Sequence, residues 1–237
     1  MSLRIGIDLD GVVADFASAF HDVEHRLFGP DSEMRPDPPE QEEAIQSARE
    51  SAARETSQES RLASLRDSRR RRDAIWRVIE ATENFWETLD PIDPSAVARI
   101  HAAMLEHQWE VFFITQRPRT AGDTVQRQSQ RWLVGQGFDL PSVLVIGGSR
   151  GAAAGALRLD YHVDDSPQNC LDVIADSRAR ALLIVPGEDG MAVESARKLG
   201  IGTAPSIGAA LGILEQASRA RAQPGLLARL ATMVGWK

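Results

Sequence analysis

A single cysteine, Cys170, is all the thiol chemistry available to this chain of 237 residues. One thiol cannot close an internal disulfide or build a thiolate zinc cluster, and it reads instead as a small buried hydrophobe. No apolar run approaches the roughly 18 residues of a membrane span, so no membrane partner is expected. The N-terminus enters a strand without a basic region and apolar signal segment, and the expected location is cytoplasmic. No GxGxxG follows a strand and no segment repeats, which disfavours a dinucleotide cofactor and a repeat architecture. The net charge of −7 offers no electrostatic case for binding a nucleic acid polymer. What remains is a chain with 43% apolar residues, enough for one substantial core, alone or with a smaller module.

The informative stretch comes first. Ile5-Gly6-Ile7 runs into Asp8-Leu9-Asp10-Gly11-Val12, an apolar strand ending in two carboxylates. Strand periodicity puts Asp8 and Asp10 on one side, where both could face one metal ion, and Gly11 lets the backbone turn away sharply. The competing reading is a helix cap supplied by Asp10 or Asp15. The pattern then recurs. Val111 to Thr115 is a strand ending in a hydroxyl, Ser142 to Ile146 leads through Gly147-Gly148-Ser149 to Arg150, and Tyr161 to Asp164 ends in Asp164-Asp165. Open parallel α/β sheets place ligands at the carboxyl ends of their strands, so these four ends can meet in one crevice. Taken singly, Thr115 can be a strand end, Arg150 a solvated helix residue and Asp165 a helix start before Pro167. Their joint order favours a site.

In these motifs the chain resembles the haloacid-dehalogenase-like phosphohydrolases, and within them the 5'(3')-deoxyribonucleotidase-like group. The finer likeness lies in Ala14-Asp15-Phe16, Phe85-Trp86-Glu87, Thr115-Gln116-Arg117-Pro118 and Asp164-Asp165-Ser166-Pro167-Gln168-Asn169-Cys170. Two departures are an arginine, Arg150, where the superfamily usually has lysine, with Arg158 as a second candidate, and Gln116 where the subgroup usually has serine. The resemblance implies a Rossmann-like parallel sheet over residues 1–16 and 91–237, with a mainly helical cap over 17–90. It also implies a Mg2+-dependent phosphomonoesterase acting on a small phosphorylated substrate, by likeness a nucleotide, as a monomer or homodimer. Asp8 would be the nucleophile and Asp10 the general acid and base. Thr115 and Arg150 would hold the transferring phosphoryl group, and Asp8, Asp10, Asp164 and Asp165 would hold the metal. Gln116, Arg117, Phe16, Phe85 and Trp86 would contact substrate, the aromatics by stacking on a base. A sugar phosphatase, a phospho-accepting domain and an interaction protein are the alternatives.

Charge within the insert is uneven. Residues 31–60 hold nine acids against three bases, and residues 61–80 hold seven arginines against three acids. The run Arg69-Arg70-Arg71-Arg72 reads as a solvated helix face paired with nearby acids. Trp76 reads as cap packing. Helices are expected over 95–108, 123–134, 152–159 and 207–218, with a fifth strand over 181–185.

Overall fold

The apolar runs at the four motif-bearing positions pair with two further strands in one parallel sheet. The strands are β1 (Arg4–Ile7), β2 (Glu110–Thr115), β3 (Ser142–Val145), β4 (Tyr161–Asp164), β5 (Arg180–Ile184) and β6 (Gly202–Ala204). Their spatial order is β3-β2-β1-β4-β5-β6, and every pairing is parallel. The computed structural model describes residues 2–29, 58–187, 190–221 and 233–234. The acidic stretch up to residue 57 and most of the tail around Pro224 lie outside the described residues.

Among the described residues, eight α-helices flank these strands: α1 (Phe16–Phe28), α2 (Gln58–Ala81), α3 (Ala96–His107), α4 (Val125–Gly135), α5 (Arg150–Leu157), α6 (Pro167–Asp176), α7 (Gly190–Lys198) and, after the last strand, α8 (Ile207–Arg221). They cover both faces, as the apolar strands require. Ile7, Phe113 and Val163 share one core with Ile100 of α3, Leu133 of α4 and Leu214 of α8. Ile114, Ala181 and Leu183 share the other with Ala154 of α5, Val173 of α6 and Ala196 of α7. Cys170 is fully buried in that second core, and burial pushes its thiol pKa far up, so it behaves as a hydrophobe. The architecture is therefore the expected α/β, Rossmann-like one.

The described part of the insert packs into the first core rather than forming a core of its own. Phe20 and Val23 of α1 and Ile75, Trp76 and Ile79 of α2 are buried in it. Asp15 caps α1, its side chain accepting the amide of Ser18 at 3.0 Å. Residues 84–90 lie against α4: Gln128 Oε1 accepts the Trp86 amide at 3.1 Å, and Trp132 Nε1 donates to the Leu89 carbonyl at 2.7 Å. The arginine run meets the expectation of a solvated, acid-paired face only in part, with Arg71 Nε 3.9 Å from Asp67 Oδ2. Arg69 and Arg70 are exposed, but Arg71 lies over the Phe28 ring at 4.8 Å and Arg72 is buried. A 3.6-residue turn cannot keep four consecutive side chains on one face.

Candidate active site

The sheet order turns around β1, because the chain passes from β1 to β2 and β3 on one side and then to β4 on the other. The carboxyl ends of β1 and β4 bound the crevice that this reversal opens. Asp8 extends β1 by one ladder bond, its amide donating to the Val163 carbonyl at 2.9 Å. The strand ends there. Val13 and Ala14 both donate to the Leu9 carbonyl, and Gly11 takes φ 78°, so Asp10 sits in a tight turn. Strand periodicity therefore does not place Asp10; the turn does. A Cβ on Gly11 would fall 2.0 Å from Asp165 Oδ2, so glycine is what lets this turn and the end of β4 approach each other.

Three carboxylates converge. One oxygen of each of Asp8, Asp164 and Asp165 lies within 4.8 Å of the others. Arg150, the first residue of α5, is buried between two of them: Nη2 donates to Asp8 Oδ1, and Nε to Asp164 Oδ2 at 3.4 Å. Its Nη1 is buried with no hydrogen-bond partner among the described residues. Arg158 ends α5 at the C-cap, exposed, eight residues from Arg150 and so about 12 Å further along the helix. Ser149 caps α5 by accepting the amides of Gly151 and Ala152, and Ser166 caps α6 ahead of Pro167. Both helix starts follow strand ends of this crevice, where their dipoles favour anions.

The remaining site residues divide. Thr115, buried at the end of β2, lies 3.5 Å from Asp10 Oδ2 through its hydroxyl. Gln116 donates from Nε2 to the Gly148 carbonyl at 2.9 Å, tying the end of β2 to the loop that presents Arg150. Arg117 is buried and its guanidinium is spent on Asp10 and on Ser129 Oγ. Phe85 and Trp86 pack behind Arg117, the residue that holds Asp10. Both are buried, Trp86 to 1% exposure, with Arg117 stacked at 4.8 Å from its ring, Phe16 at 5.4 Å and its Nε1 donating to the Pro118 carbonyl. Phe16 is half-buried and also contacts Trp76 at 5.5 Å. These rings are a packed cluster, with little free face for a base.

The electrostatics call for a cation. Asp8, Asp10, Asp164 and Asp165 face the guanidinium groups of Arg117 and Arg150. Burial pushes the Asp8 pKa well above the ordinary carboxylate range, Arg150 opposes that, and Asp164, Asp165 and Asp10 add to it. Asp165 has part of its surface in solvent, yet the atoms packed around its carboxyl, followed by the charge of Asp164, push it up to about 7. Asp164 is the exception. Burial would raise it, but hydrogen bonds from His162 and the Ser166 amide, with the charges of His162 and Arg150, hold it below the usual range. A hard divalent cation fits this all-oxygen set and would offset the crowding.

Sequence reasoning missed two residues in this network. His162 Nε2 lies 2.9 Å from Asp164 Oδ2, and Asn169 Nδ2 donates to both Asp164 oxygens at 3.1 and 3.2 Å. The signal was present for His162: it precedes Asp164 by two on one strand, hence on the same face.

No family model and no curated protein matches the chain. Solved structures do. A phosphonoacetaldehyde hydrolase-like protein from Oleispira antarctica is 14% identical, with 92% of this chain and 93% of that one covered at a TM-score of 0.54. A β-phosphoglucomutase-like protein from Thermotoga maritima is 16% identical, with 90% and 98% covered at 0.51. A HAD family hydrolase from Deinococcus radiodurans R1, solved with bound phosphate and sodium, is 15% identical, with 95% and 97% covered at 0.50. The fold is thus that of the haloacid-dehalogenase-like proteins.

Proposed function

We propose that the chain is a Mg2+-dependent phosphomonoesterase that works through an aspartyl-phosphate on Asp8. The observation that carries this reading is the convergence of Asp8, Asp164 and Asp165 within 4.8 Å around the buried guanidinium of Arg150. A lone buried carboxylate is costly, and one held beside two more and a cation is suited to attack on an anionic group.

Asp8, the Asp10 carbonyl, Asp164 and Asp165 would hold the ion, which when bound supplies charge neutralisation for an attacking carboxylate and an anionic phosphate. The chain's own groups then divide the work. Asp8 attacks phosphorus, and the bond to the leaving alkoxide breaks as Asp10 gives it a proton. Asp10 next takes a proton from water as that water attacks the phosphorus of the Asp8 acyl phosphate, which breaks the P–O bond to Asp8, releases inorganic phosphate and restores the Asp8 carboxylate and the Asp10 acid. Thr115 and the unspent Nη1 of Arg150 offer donors to the phosphoryl oxygens.

The leaving group is the finer question. Motif likeness favours a nucleoside or deoxynucleoside monophosphate, whereas the burial of Phe85 and Trp86 favours a smaller phosphate ester such as a sugar phosphate. A hydrolysis panel of nucleoside monophosphates and sugar phosphates, with and without Mg2+, tests both levels. Turnover that ignores Mg2+ defeats the metal-dependent reading, and no turnover of any ester defeats the phosphomonoesterase reading. Activity confined to sugar phosphates defeats the nucleotide reading alone.

A further inference from the structure

We infer that His162 is a positioning residue for Asp164, and that Gly6 on the neighbouring strand exists in this form to admit its ring. This deepens the metal-dependent reading above and rests on it. His162 and Asp164 stand two apart on β4 and share one face of the strand. Both are fully buried, and Nε2 of the ring lies 2.9 Å from Asp164 Oδ2. An ionised carboxylate can only accept, so Nε2 carries a proton and donates.

The other ring nitrogen confirms how specific the placement is. Nδ1 is buried without a hydrogen-bond partner among the described residues, so the ring gives up one polar contact to make the other. It faces Gly6, its register partner on β1. A Cβ on Gly6 would stand 2.6 Å from Nδ1 and 2.6 Å from Leu159 Cδ1. Any larger residue at position 6 would collide with the ring and with Leu159, so the ring could not keep this position.

Asp164 is otherwise gripped from the starts of two helices, by Nε of Arg150, the Ser166 amide and the Asn169 side chain. His162 is the partner that comes from the sheet itself. It leaves the carboxylate oriented before an ion arrives, and an outer donor of this kind typically contributes 10- to 100-fold in metal affinity.

The test is Mg2+ titration of the protein without substrate, by calorimetry, for the wild type, His162→Leu and His162→Gln. Leucine fills the space without a donor and should weaken Mg2+ binding about 10- to 100-fold. Glutamine carries an amide nitrogen near the position of Nε2 and should restore most of it. In the 15N-labelled wild type, the His162 Nε2 proton should be visible by NMR and should move as Mg2+ is added, which needs no variant to fold. A purely structural histidine would lower the denaturation midpoint of His162→Leu while leaving its Mg2+ affinity and the wild-type Nε2 proton unchanged, and that result overturns the inference. A wild type that binds no Mg2+ overturns the metal-dependent reading, and this inference with it.

Discussion

Arg117 grips both oxygens of Asp10, with Nε at 2.9 Å from Oδ2 and Nη2 at 2.7 Å from Oδ1, while Nη1 donates to Ser129 Oγ at 2.9 Å. The guanidinium is buried and lies over Trp86, so its position is fixed on three sides. The proposed acid and base is therefore oriented by a residue that motif likeness assigns to the substrate. Arg117→Met should lower kcat, because Asp10 loses its orientation, and should cost about 1–3 kcal/mol of stability by leaving a charged hydrogen bond unmade. Lysine at 117 keeps the charge but not the fork and should fall between. Denaturant titration beside steady-state kinetics reads both; a raised KM at unchanged kcat would return Arg117 to substrate binding.

Asp8→Asn should abolish turnover with the fold retained, since an amide is a poor nucleophile. Circular dichroism and a sensitive phosphate-release assay check it. More than a few per cent residual activity would remove Asp8 from the nucleophile role.

Arg150→Ala should remove activity, whereas Arg158→Ala should leave it unchanged, because the latter side chain is exposed at the far end of α5. Arg150→Lys should retain part, with one point charge in place of a fork that reaches Asp8 and Asp164 together. Rates of phosphate release from the three variants decide it.

Mg2+ binding should weaken as pH falls through about 7, where Asp165 takes up its proton, and binding at pH 6 should release protons to the buffer. The metal-free fold should show the opposite sign. A carboxyl whose pKa is raised on folding stabilises most below its unfolded value near 4, and that contribution is lost as pH rises toward 7. Asp165→Asn should flatten both slopes. Calorimetry in buffers of different ionisation enthalpy, with denaturation midpoints from pH 4 to 8, measures them.

Trp86→Ala should destabilise by about 3–5 kcal/mol, as loss of a buried aromatic does, and should reduce catalytic efficiency alike for a nucleotide and a small artificial ester. A loss on the nucleotide alone would show that the indole meets a base after all.

Much of this was legible in sequence because it depends on local rules. Four strand ends carrying Asp8, Thr115, Arg150 and Asp164 in that order require only apolar runs and a parallel sheet, and the structure places them around one crevice. What was hidden depends on contacts distant in sequence. Nothing near Arg117 says that Asp10 is its partner 107 residues away. Phe16 and Trp86 read equally as stacking platforms or as cap-to-core packing until they are seen packed on each other, with α4 against Trp86. The strand β6 is Gly-Thr-Ala, too short and too weakly apolar to announce itself, and it forms only because β5 offers a pairing edge.

The close approach at Gly11 links two positions 154 residues apart into a single unit of inheritance. A side chain at 11 must displace the Asp165 carboxylate, and shortening residue 165 to make room gives up one of the three converging acids. If the proposed activity holds, neither position can change first without disturbing the converging acids, and changing both in one step is rare. Among descendants of this chain, a replaced Gly11 should then mark lineages that have given up the proposed catalysis.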